Sequence, residues 1–225
     1  AGNCGIDHGA VGEPAPRAPA SVTVGVLLLA AGEGRRFGRD KRRAQVPSGQ
    51  TVLATSIAVI RDTGLPLRVC LRPGEAQLAQ QSGLQPEEVI ACERARCGMG
   101  STLAEGVAQL PAWQGVLVAL ADMPAIQAST FAEVAAALGE DAIVVPTWRG
   151  SSGHPVGFGS RWFGRLAGLR GDMGARTLVR EAGAQRTLLA VADPGILSDV
   201  DFPSDLAGIG RSGGAQAASS KCPVV

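Results

Sequence analysis

A glycine-rich, basic stretch near the start of the chain has the residue types that bind phosphate groups. Gly32, Gly34 and Gly38 fall within seven positions, with Arg35 between them and Lys41 shortly after them. Because glycine tolerates positive φ and lets the backbone come close to a ligand, the N–H groups of such a loop suit an anion. The stretch predicts a cradle for a nucleoside triphosphate. The alternative is an ordinary strand-to-helix turn with solvated basic side chains.

Two better-known phosphate loops do not match this stretch. A P-loop ends in Gly-Lys followed by Ser or Thr, whereas Gly38 is followed by Arg39, and Lys41 by Arg42. A dinucleotide fingerprint needs a third glycine where this chain has Phe37. It also needs an acidic residue at the end of the next strand, which here ends in a Leu-Arg pair. The sequence therefore argues against NAD binding.

Lys41 stands out because the chain otherwise uses arginine. Of its 21 lysine and arginine residues, only Lys41 and Lys221 are lysine. Lysine carries a compact charge on a flexible stem, which suits it to reaching phosphate oxygens. We interpret Lys41 as a phosphate-binding residue, with chance occurrence as the alternative.

Aspartates follow later in the chain at positions that suit a hard metal ion. Asp122 comes directly after the most strand-like run, residues 115–121. A carboxylate at the carboxyl end of a central parallel strand lies where open α/β sheets bind ligands. Asp199 and Asp201 alternate along an extended segment, so both could face one cation. The alternatives are a turn cap at Asp122 and a plain polar loop around Asp201.

The elements that must position these residues alternate between strand-like and helix-like segments. Such alternation indicates an α/β fold, with a mostly parallel sheet and helices on both faces. The predicted strands are 22–30, 67–71, 89–92, 115–121, 142–145, 154–158 and 186–191. The predicted helices are 51–62, 74–81, 102–110, 129–138, 160–169 and one that opens near 172. Ser101 and Asp172 are the expected N-caps of the third and last helices.

Composition limits the class of protein. With 225 residues, 45% of them hydrophobic, the chain is long enough for one domain with a full core. A net charge of +1 gives no general attraction to nucleic acid or membranes. Five cysteines without a CxxC pair fit reduced thiols in a cytoplasm. Residues 1–20 and 207–225 predict a flexible leader and tail around a domain at 21–206.

The run LAAGEGRRFGRDK resembles the signature loop of the molybdenum cofactor nucleotidyltransferases, in particular the branch that transfers CMP to molybdopterin. Five later stretches match in the family's order, GMGSTLAEGV, LADMP, GHPVGF, GDMGAR and DVDFPSDL, so the resemblance spans about residues 24–206. It implies a single Rossmann-like, three-layer α/β/α domain of the nucleotidyltransferase fold. It also implies Mg²⁺-dependent transfer of CMP from CTP to the terminal phosphate of molybdopterin, with release of pyrophosphate.

The resemblance also implies roles for individual residues. Arg35, Lys41 and Asp122 would be catalytic, and Asp122 and Asp201 would hold Mg²⁺, with Asp199 beside Asp201. The residues expected to bind the nucleotide are Leu29, Ala30, Ala31, Gly32, Gly34, Arg35, Lys41, Gly100, Ser101 and Leu103. The residues expected near the second substrate are Trp148, His154 and Arg176.

Some of these positions have a second interpretation. The polar segment 147–153 suits a landing surface for the second substrate or a plain surface hairpin. His154 suits a structural hydrogen bond as well as a catalytic role. Ala30-Ala31-Gly32 is typical of the cytidylyl branch, whereas the guanylyl branch usually has a glycine in the middle. After Lys41, the sequence Arg42-Arg43-Ala44-Gln45 departs from the leucine-rich continuation of the family.

Two other functions stay open at this point. Within enzymes, the donor could be GTP, or the acceptor another sugar or alcohol phosphate. Outside enzymes, the chain could bind the cofactor and deliver it to a molybdenum hydroxylase without turnover. A metal site argues against such a carrier, which has no need of one. The expected partners are small-molecule substrates and, transiently, a molybdenum hydroxylase or its chaperone, with no nucleic acid and no membrane.

Overall fold

One mixed β-sheet forms the centre of the computed structural model, which describes residues 23–32, 34 and 37–209. Its strands are β1 Val24–Leu29, β2 Leu67–Leu71, β3 Val89–Ala91, β4 Gly115–Leu120, β5 Ile143–Trp148, β6 Ser151–Ser152, β7 Val156–Gly159 and β8 Thr187–Ala190. The strand order is β3-β2-β1-β4-β7-β5-β6, and β8 also pairs with β5.

The two halves of the sheet differ in strand direction. In the parallel half, β3, β2, β1 and β4 all run the same way, and β1 pairs with β4 over its whole length. In the mixed half, β7 runs antiparallel to both β4 and β5, while β8 is parallel to β5. β1 and β4 are apolar at almost every position because both faces of these central strands are covered. The prediction of a mostly parallel α/β sheet is confirmed.

Helices cover both faces of this sheet. They are α1 Val52–Arg61, α2 Ala76–Gln81, α3 Met99–Ala108, α4 Ala128–Ala136, α5 Phe163–Ala167 and α6 Arg176–Glu181. α3 packs on β1 and β2 together with α5, and α4 packs on β4, β5 and β7 beside α1. α3 approaches the sheet closely at Gly106, where a Cβ would lie 2.6 Å from Cys70 Sγ and 2.9 Å from Leu27 Cδ2. Side chains larger than glycine would therefore push α3 off the parallel half.

A second, smaller apolar cluster ties the glycine-rich stretch to the segment that contains the last aspartates. Phe37, Val46, Val200 and Ile209 are among its buried members. The backbone N–H of Val200 also donates to the carbonyl oxygen of Asp122, at 2.8 Å. These contacts bring three segments that are distant in sequence to the carboxyl end of β4.

Two predicted helix caps are wrong. α3 begins at Met99 with Gly98 as its N-cap, so Ser101 lies inside the first turn of the helix. Asp172 is not a cap either, because α6 begins at Arg176 and follows Ala175. At the start of α3, backbone hydrogen bonds from Gly100 and Ser101 to Gly171 connect the helix to a distant loop, a contact that the local sequence does not reveal.

The segment 147–153 is a β-hairpin. β5 and β6 pair through Thr147 with Ser152 and Trp148 with Ser151. The two turn residues, Arg149 and Gly150, have φ values of 49° and 80°. Positive φ at both central residues is the geometry of a type I′ turn, whose twist matches that of paired strands. The segment therefore forms a hairpin, and its role as a landing surface for the second substrate stays a prediction.

The predicted leader at 1–20 and most of the predicted tail lie outside the described residues. The packed part of the chain extends beyond residue 206, since Ile209 is buried in the second cluster. Among the residues that the structure describes, no helix is long and apolar enough to cross a bilayer.

Candidate active site

A cavity of about 400 Å³ opens where β1 and β4 end. Four segments line it: the end of β1 with the glycine-rich stretch, the end of β4, the region around the start of α3, and the loop at Asp172 before α6. The lining residues are Leu29, Ala30, Ala31, Gly32, Gly34, Lys41, Arg42, Ala95, Arg96, Gly98, Met99, Thr102, Leu120, Ala121, Asp122 and Asp172. Because neighbouring parallel strands end at one edge of a sheet, residues from distant parts of the chain meet there.

The side chain of Lys41 connects the glycine-rich stretch to the end of β4 and to the segment at Val200 and Asp201, which is not part of the cavity lining. Its Nζ donates to Asp122 Oδ2 at 2.6 Å, to the carbonyl oxygen of Val200 at 3.0 Å and to Asp201 Oδ1 at 3.4 Å. The Lys41 side chain is only 15% exposed. The structure thus brings together Lys41, Asp122 and Asp201, which the sequence analysis selected separately.

The charges around Lys41 determine its protonation. Burial alone would lower the pKa of Lys41, but the negative charges and hydrogen bonds of Asp122 and Asp201 outweigh burial and raise it. Lys41 is therefore a cation at neutral pH. At Asp199, burial and then the negative charge of Asp201 raise the pKa of the carboxyl group. It is Asp201 that accepts a hydrogen bond from Lys41.

Local backbone geometry directs Lys41 into the cavity. Gly34 has a φ of 60°, and a Cβ at this position would lie 3.3 Å from Lys41 Cγ. A short 3₁₀ helix, Lys41–Arg43, begins after Asp40, whose carboxylate accepts a hydrogen bond from the backbone N–H of Arg42. Any other residue at position 34 would be strained and would crowd the lysine stem.

Most residues predicted to bind the nucleotide line the cavity. They are Leu29, Ala30, Ala31, Gly32, Gly34 and Lys41. Arg35 lies outside the described residues. Gly100, Ser101 and Leu103 do not line the cavity. From α3 and its cap, Gly98, Met99 and Thr102 line it instead.

The positions of Gly100, Ser101 and Leu103 have a common cause. The Gly100 N–H donates to the carbonyl oxygen of Gly171 at 2.8 Å, and Ser101 Oγ accepts a hydrogen bond from the Gly171 N–H at 3.0 Å. Leu103 is fully buried in the main core. The start of α3 therefore turns these residues towards the 171–173 loop and the sheet.

Trp148, His154 and Arg176 do not line the cavity. Trp148 ends β5 in the hairpin, where the guanidinium of Arg149 lies 4.5 Å from the centre of its ring. His154 is fully buried, and its backbone N–H donates to the carbonyl oxygen of Ile196 at 3.1 Å. Arg176 is exposed at the start of α6. The structure thus separates these residues from the cavity, and their assignment to the second substrate stays a prediction.

Sequence reasoning missed Arg42, which lines the cavity and is 4% exposed. The one feature of the sequence that marked Arg42 was that the residues after Lys41 depart from the leucine-rich continuation of the family. That feature did not reveal burial, because the acidic partner Glu75 lies 33 positions further along the chain.

The model of the MobA-like NTP transferase domain matches residues 26–187. The chain belongs to the MobA-like NTP transferase family. The matched range contains the glycine-rich stretch and Asp122 and ends before Asp201. The cavity therefore lies where this family member carries its signature loop, and Asp201, from beyond the matched range, reaches Lys41 beside Val200 of the second cluster.

Relatives of this family member carry several names. The purine catabolism protein PucB of Bacillus subtilis is 27% identical, over 80% of this chain and 92% of that protein. A probable molybdenum cofactor guanylyltransferase of Opitutus terrae is 32% identical, over 52% of this chain and 56% of that protein. The crystal structure of Rv0371c from Mycobacterium tuberculosis is 26% identical, with a TM-score of 0.71 over 83% of this chain and 96% of that one. Rv0371c has also been solved in complex with manganese, and that structure matches with a TM-score of 0.68.

The donor set at Lys41 fits a divalent cation. Both carboxylates already face one positive charge, since the Lys41 ammonium lies within 3.4 Å of Asp122 and Asp201. Among the described residues, no group of three or more Asp, Glu, His or Cys side chains could hold a metal alone. Mg²⁺ is commonly bound by one or two carboxylates together with substrate phosphates. Asp122 and Asp201 therefore fit an ion that arrives with a nucleotide better than an ion in an all-protein cage.

Proposed function

We propose that this protein is a molybdenum cofactor cytidylyltransferase, which transfers CMP from CTP to the terminal phosphate of molybdopterin and releases pyrophosphate. One observation carries the proposal: the Lys41 ammonium lies between Asp122 and Asp201 in the wall of a cavity built by the family's signature loop. A cation and two carboxylates beside a glycine-rich backbone suit a triphosphate and its metal ion.

The reaction needs positioning and charge neutralisation more than proton transfer. An oxygen of the acceptor phosphate, already ionised at neutral pH, attacks the α-phosphorus of CTP. The bond between the α-phosphorus and the bridging oxygen breaks, and pyrophosphate leaves with the negative charge. Lys41 would neutralise phosphate charge, and the described lining of the cavity includes no histidine. Asp122 and Asp201 would hold Mg²⁺, which supplies further charge neutralisation at the phosphate oxygens when bound.

GTP is the second candidate donor. Ala30, Ala31 and Gly32 line the cavity, and the alanine in the middle supports CTP by resemblance to the cytidylyl branch. The relative from Opitutus terrae, named a probable guanylyltransferase, supports GTP. A small side chain at position 31 is compatible with either base, so the choice between donors requires measurement.

The test is pyrophosphate release with Mg²⁺ and purified molybdenum cofactor, with CTP, GTP and ATP assayed in parallel. The proposal expects release with CTP that depends on the cofactor. Release with GTP would keep the reaction and change the donor. Stoichiometric cofactor binding without release from any nucleotide would contradict the proposal and favour a carrier that serves a molybdenum hydroxylase.

A further inference from the structure

Arg42 uses its whole guanidinium to bind the protein itself. An arginine side chain has five N–H donors in a rigid, planar fork. Nε donates to Asp40 Oδ1 at 2.8 Å, and Nη2 donates to Asp40 Oδ2 at 2.8 Å and to Glu75 Oε1 at 2.5 Å. Nη1 donates to the carbonyl oxygen of Ala30 at 2.6 Å and to Glu75 Oε2 at 2.8 Å. The five donors make five hydrogen bonds, so none is left for a ligand in the cavity.

These bonds connect three structural elements at the carboxyl ends of β1 and β2. Ala30 directly follows β1, and Asp40 caps the 3₁₀ helix that carries Lys41. Glu75 lies between β2 and α2, where it also accepts hydrogen bonds from the backbone and side chain of Arg72. Arg42 thus clamps the two ends of the glycine-rich stretch to each other and to the end of β2.

The charges of this cluster balance. Arg42 and Arg72 carry two positive charges, and Asp40 and Glu75 carry two negative charges. Burial alone would raise the pKa of Glu75, but the hydrogen bonds from Arg42 and Arg72 outweigh it and lower it to about 2. The cluster is therefore fully ionised at neutral pH and adds no net charge to the cavity.

We infer that Arg42 is a positioning residue and not itself a phosphate ligand. It fixes the backbone around Lys41 so that the Lys41 ammonium contacts Asp122 and Asp201. The two neighbouring cations have different roles: the Lys41 side chain lines the cavity, and the Arg42 guanidinium holds the loop in place. The inference rests on the proposed function only where it concerns turnover. The placement of Lys41 can be measured in the resting protein.

The test is the acylation rate of the Lys41 amine, followed by mass spectrometry with an N-hydroxysuccinimide ester of acetic acid. The chain has two lysines, so the rate at Lys221 is an internal reference. Thiol labelling of the fully buried Cys70 reports any opening of the core. Neither readout requires nucleotide, cofactor or turnover.

The main variant combines Arg42→Met with Glu75→Gln, which removes one charge of each sign and leaves Arg72 and Asp40 as one charge of each sign in the cluster. We expect Lys41 acylation, relative to Lys221, to rise about tenfold, as for the loss of one charge-assisted hydrogen bond. Cys70 should stay protected. Glu75→Gln alone, which keeps Arg42, is a milder second variant, and its rate should lie between those of the wild type and the double variant.

The matched control is Arg43→Met. Arg43 is the next residue and has the same charge, but it donates to Gln81 from an exposed position, and its Nε lies 3.7 Å from Asp40 Oδ2, beyond hydrogen-bond distance. Its replacement should leave the Lys41 rate unchanged. Equal Lys41 rates in the wild type and in both Glu75 variants would overturn the inference. A missing pyrophosphate release in the wild type would contradict the proposed function and leave this result standing.

Discussion

The residues that follow the strands differ in location between the parallel and mixed halves of the sheet. In the parallel half, β1 and β4 are direct neighbours, so the residues after each strand meet in one cavity. In the mixed half, the antiparallel β7 separates β4 from β5 and places the Trp148 hairpin two strand spacings, roughly 10 Å, from β4. Under the proposed function, donor binding depends on the parallel half, and we expect substitutions in the two halves to have separable effects.

The largest effect is expected at Asp122, in the parallel half. Asp122→Asn keeps the side-chain volume but removes the charge that faces Lys41 and the expected metal ion. Turnover should fall at least tenfold, or about 1.4 kcal/mol of transition-state stabilisation. The measurement is pyrophosphate release at limiting Mg²⁺, with circular dichroism to check the fold. Turnover like that of the wild type at limiting Mg²⁺ would remove Asp122 from the metal role.

Replacing Lys41 should mainly weaken nucleotide binding. Lys41→Ala removes a cation from the cavity and leaves Asp122 and Asp201 facing each other without a counter-charge. We expect the dissociation constant of the triphosphate, measured by calorimetry, to rise about tenfold, the loss of one charge-assisted contact. Arg43→Met is the control for charge alone. An unchanged dissociation constant would contradict the assignment of Lys41.

Alanine substitutions at two glycines, Gly100 and Gly153, allow the two halves to be compared directly. A Cβ at Gly100 would lie 2.3 Å from the carbonyl oxygen of Met173, and one at Gly153 would lie 2.2 Å from that of Ile196. Both alanine variants should lose about 1–3 kcal/mol of unfolding free energy, since backbone must move in each. Gly139→Ala is the control, since a Cβ at Gly139 has no neighbour within 4 Å.

The two glycine variants should differ in their affinity for the nucleotide. Gly100→Ala shifts the start of α3, which lines the cavity through Met99 and Thr102, and should weaken triphosphate binding. Gly153→Ala acts in the mixed half and should not. Equal weakening in both variants would show that the two halves respond as one unit.

The sequence predicted the strands better than it predicted the loops between them. Mainly apolar runs identified β2, despite Arg68, and β4 almost to the residue, because buried parallel strands are apolar on both faces. The predicted helix 51–62 matches α1 to within one residue at each end, and Thr51 is its N-cap, whose hydroxyl accepts a hydrogen bond from the Ala54 N–H. The start of α3 was misplaced because Gly98 and the hydrogen bond from Gly100 to Gly171 define it, and no local pattern encodes that contact.

The candidate site shows the same difference between residues that local sequence predicts and contacts that it does not. Lys41 and Asp122 were predicted because residue type, position at a strand end and family resemblance agreed. Arg42 was not predicted, since an arginine beside other polar residues is normally solvated, and its burial depends on Glu75 from the next βα unit. Pairwise contacts between distant segments are therefore the part of the site that sequence reasoning leaves out.

The clamp around Glu75 makes stability depend on pH. The pKa of Glu75 is about 2 in the folded protein, below its ordinary value of 4.5. The unfolded chain therefore binds more protons between these values, so the stabilisation is complete above pH 4.5 and is lost as pH falls towards 2. Urea unfolding between pH 5 and 3 should show a steeper loss of stability in the wild type than in Glu75→Gln. Parallel pH profiles for the two proteins would contradict the clamp.

The smallest effect on donor binding is expected in the mixed half. Trp148 packs against Arg149 in the hairpin and does not line the cavity, so Trp148→Ala should change the dissociation constant of the triphosphate less than about twofold. Calorimetry with the nucleotide alone tests this. The Michaelis constant of the acceptor then tests the predicted role of Trp148 in binding the second substrate. A rise in that constant with unchanged nucleotide affinity would assign the acceptor to the hairpin and the donor to the parallel half. A large loss of nucleotide affinity would show that the hairpin reaches the cavity, and the separation of the two halves would then be wrong.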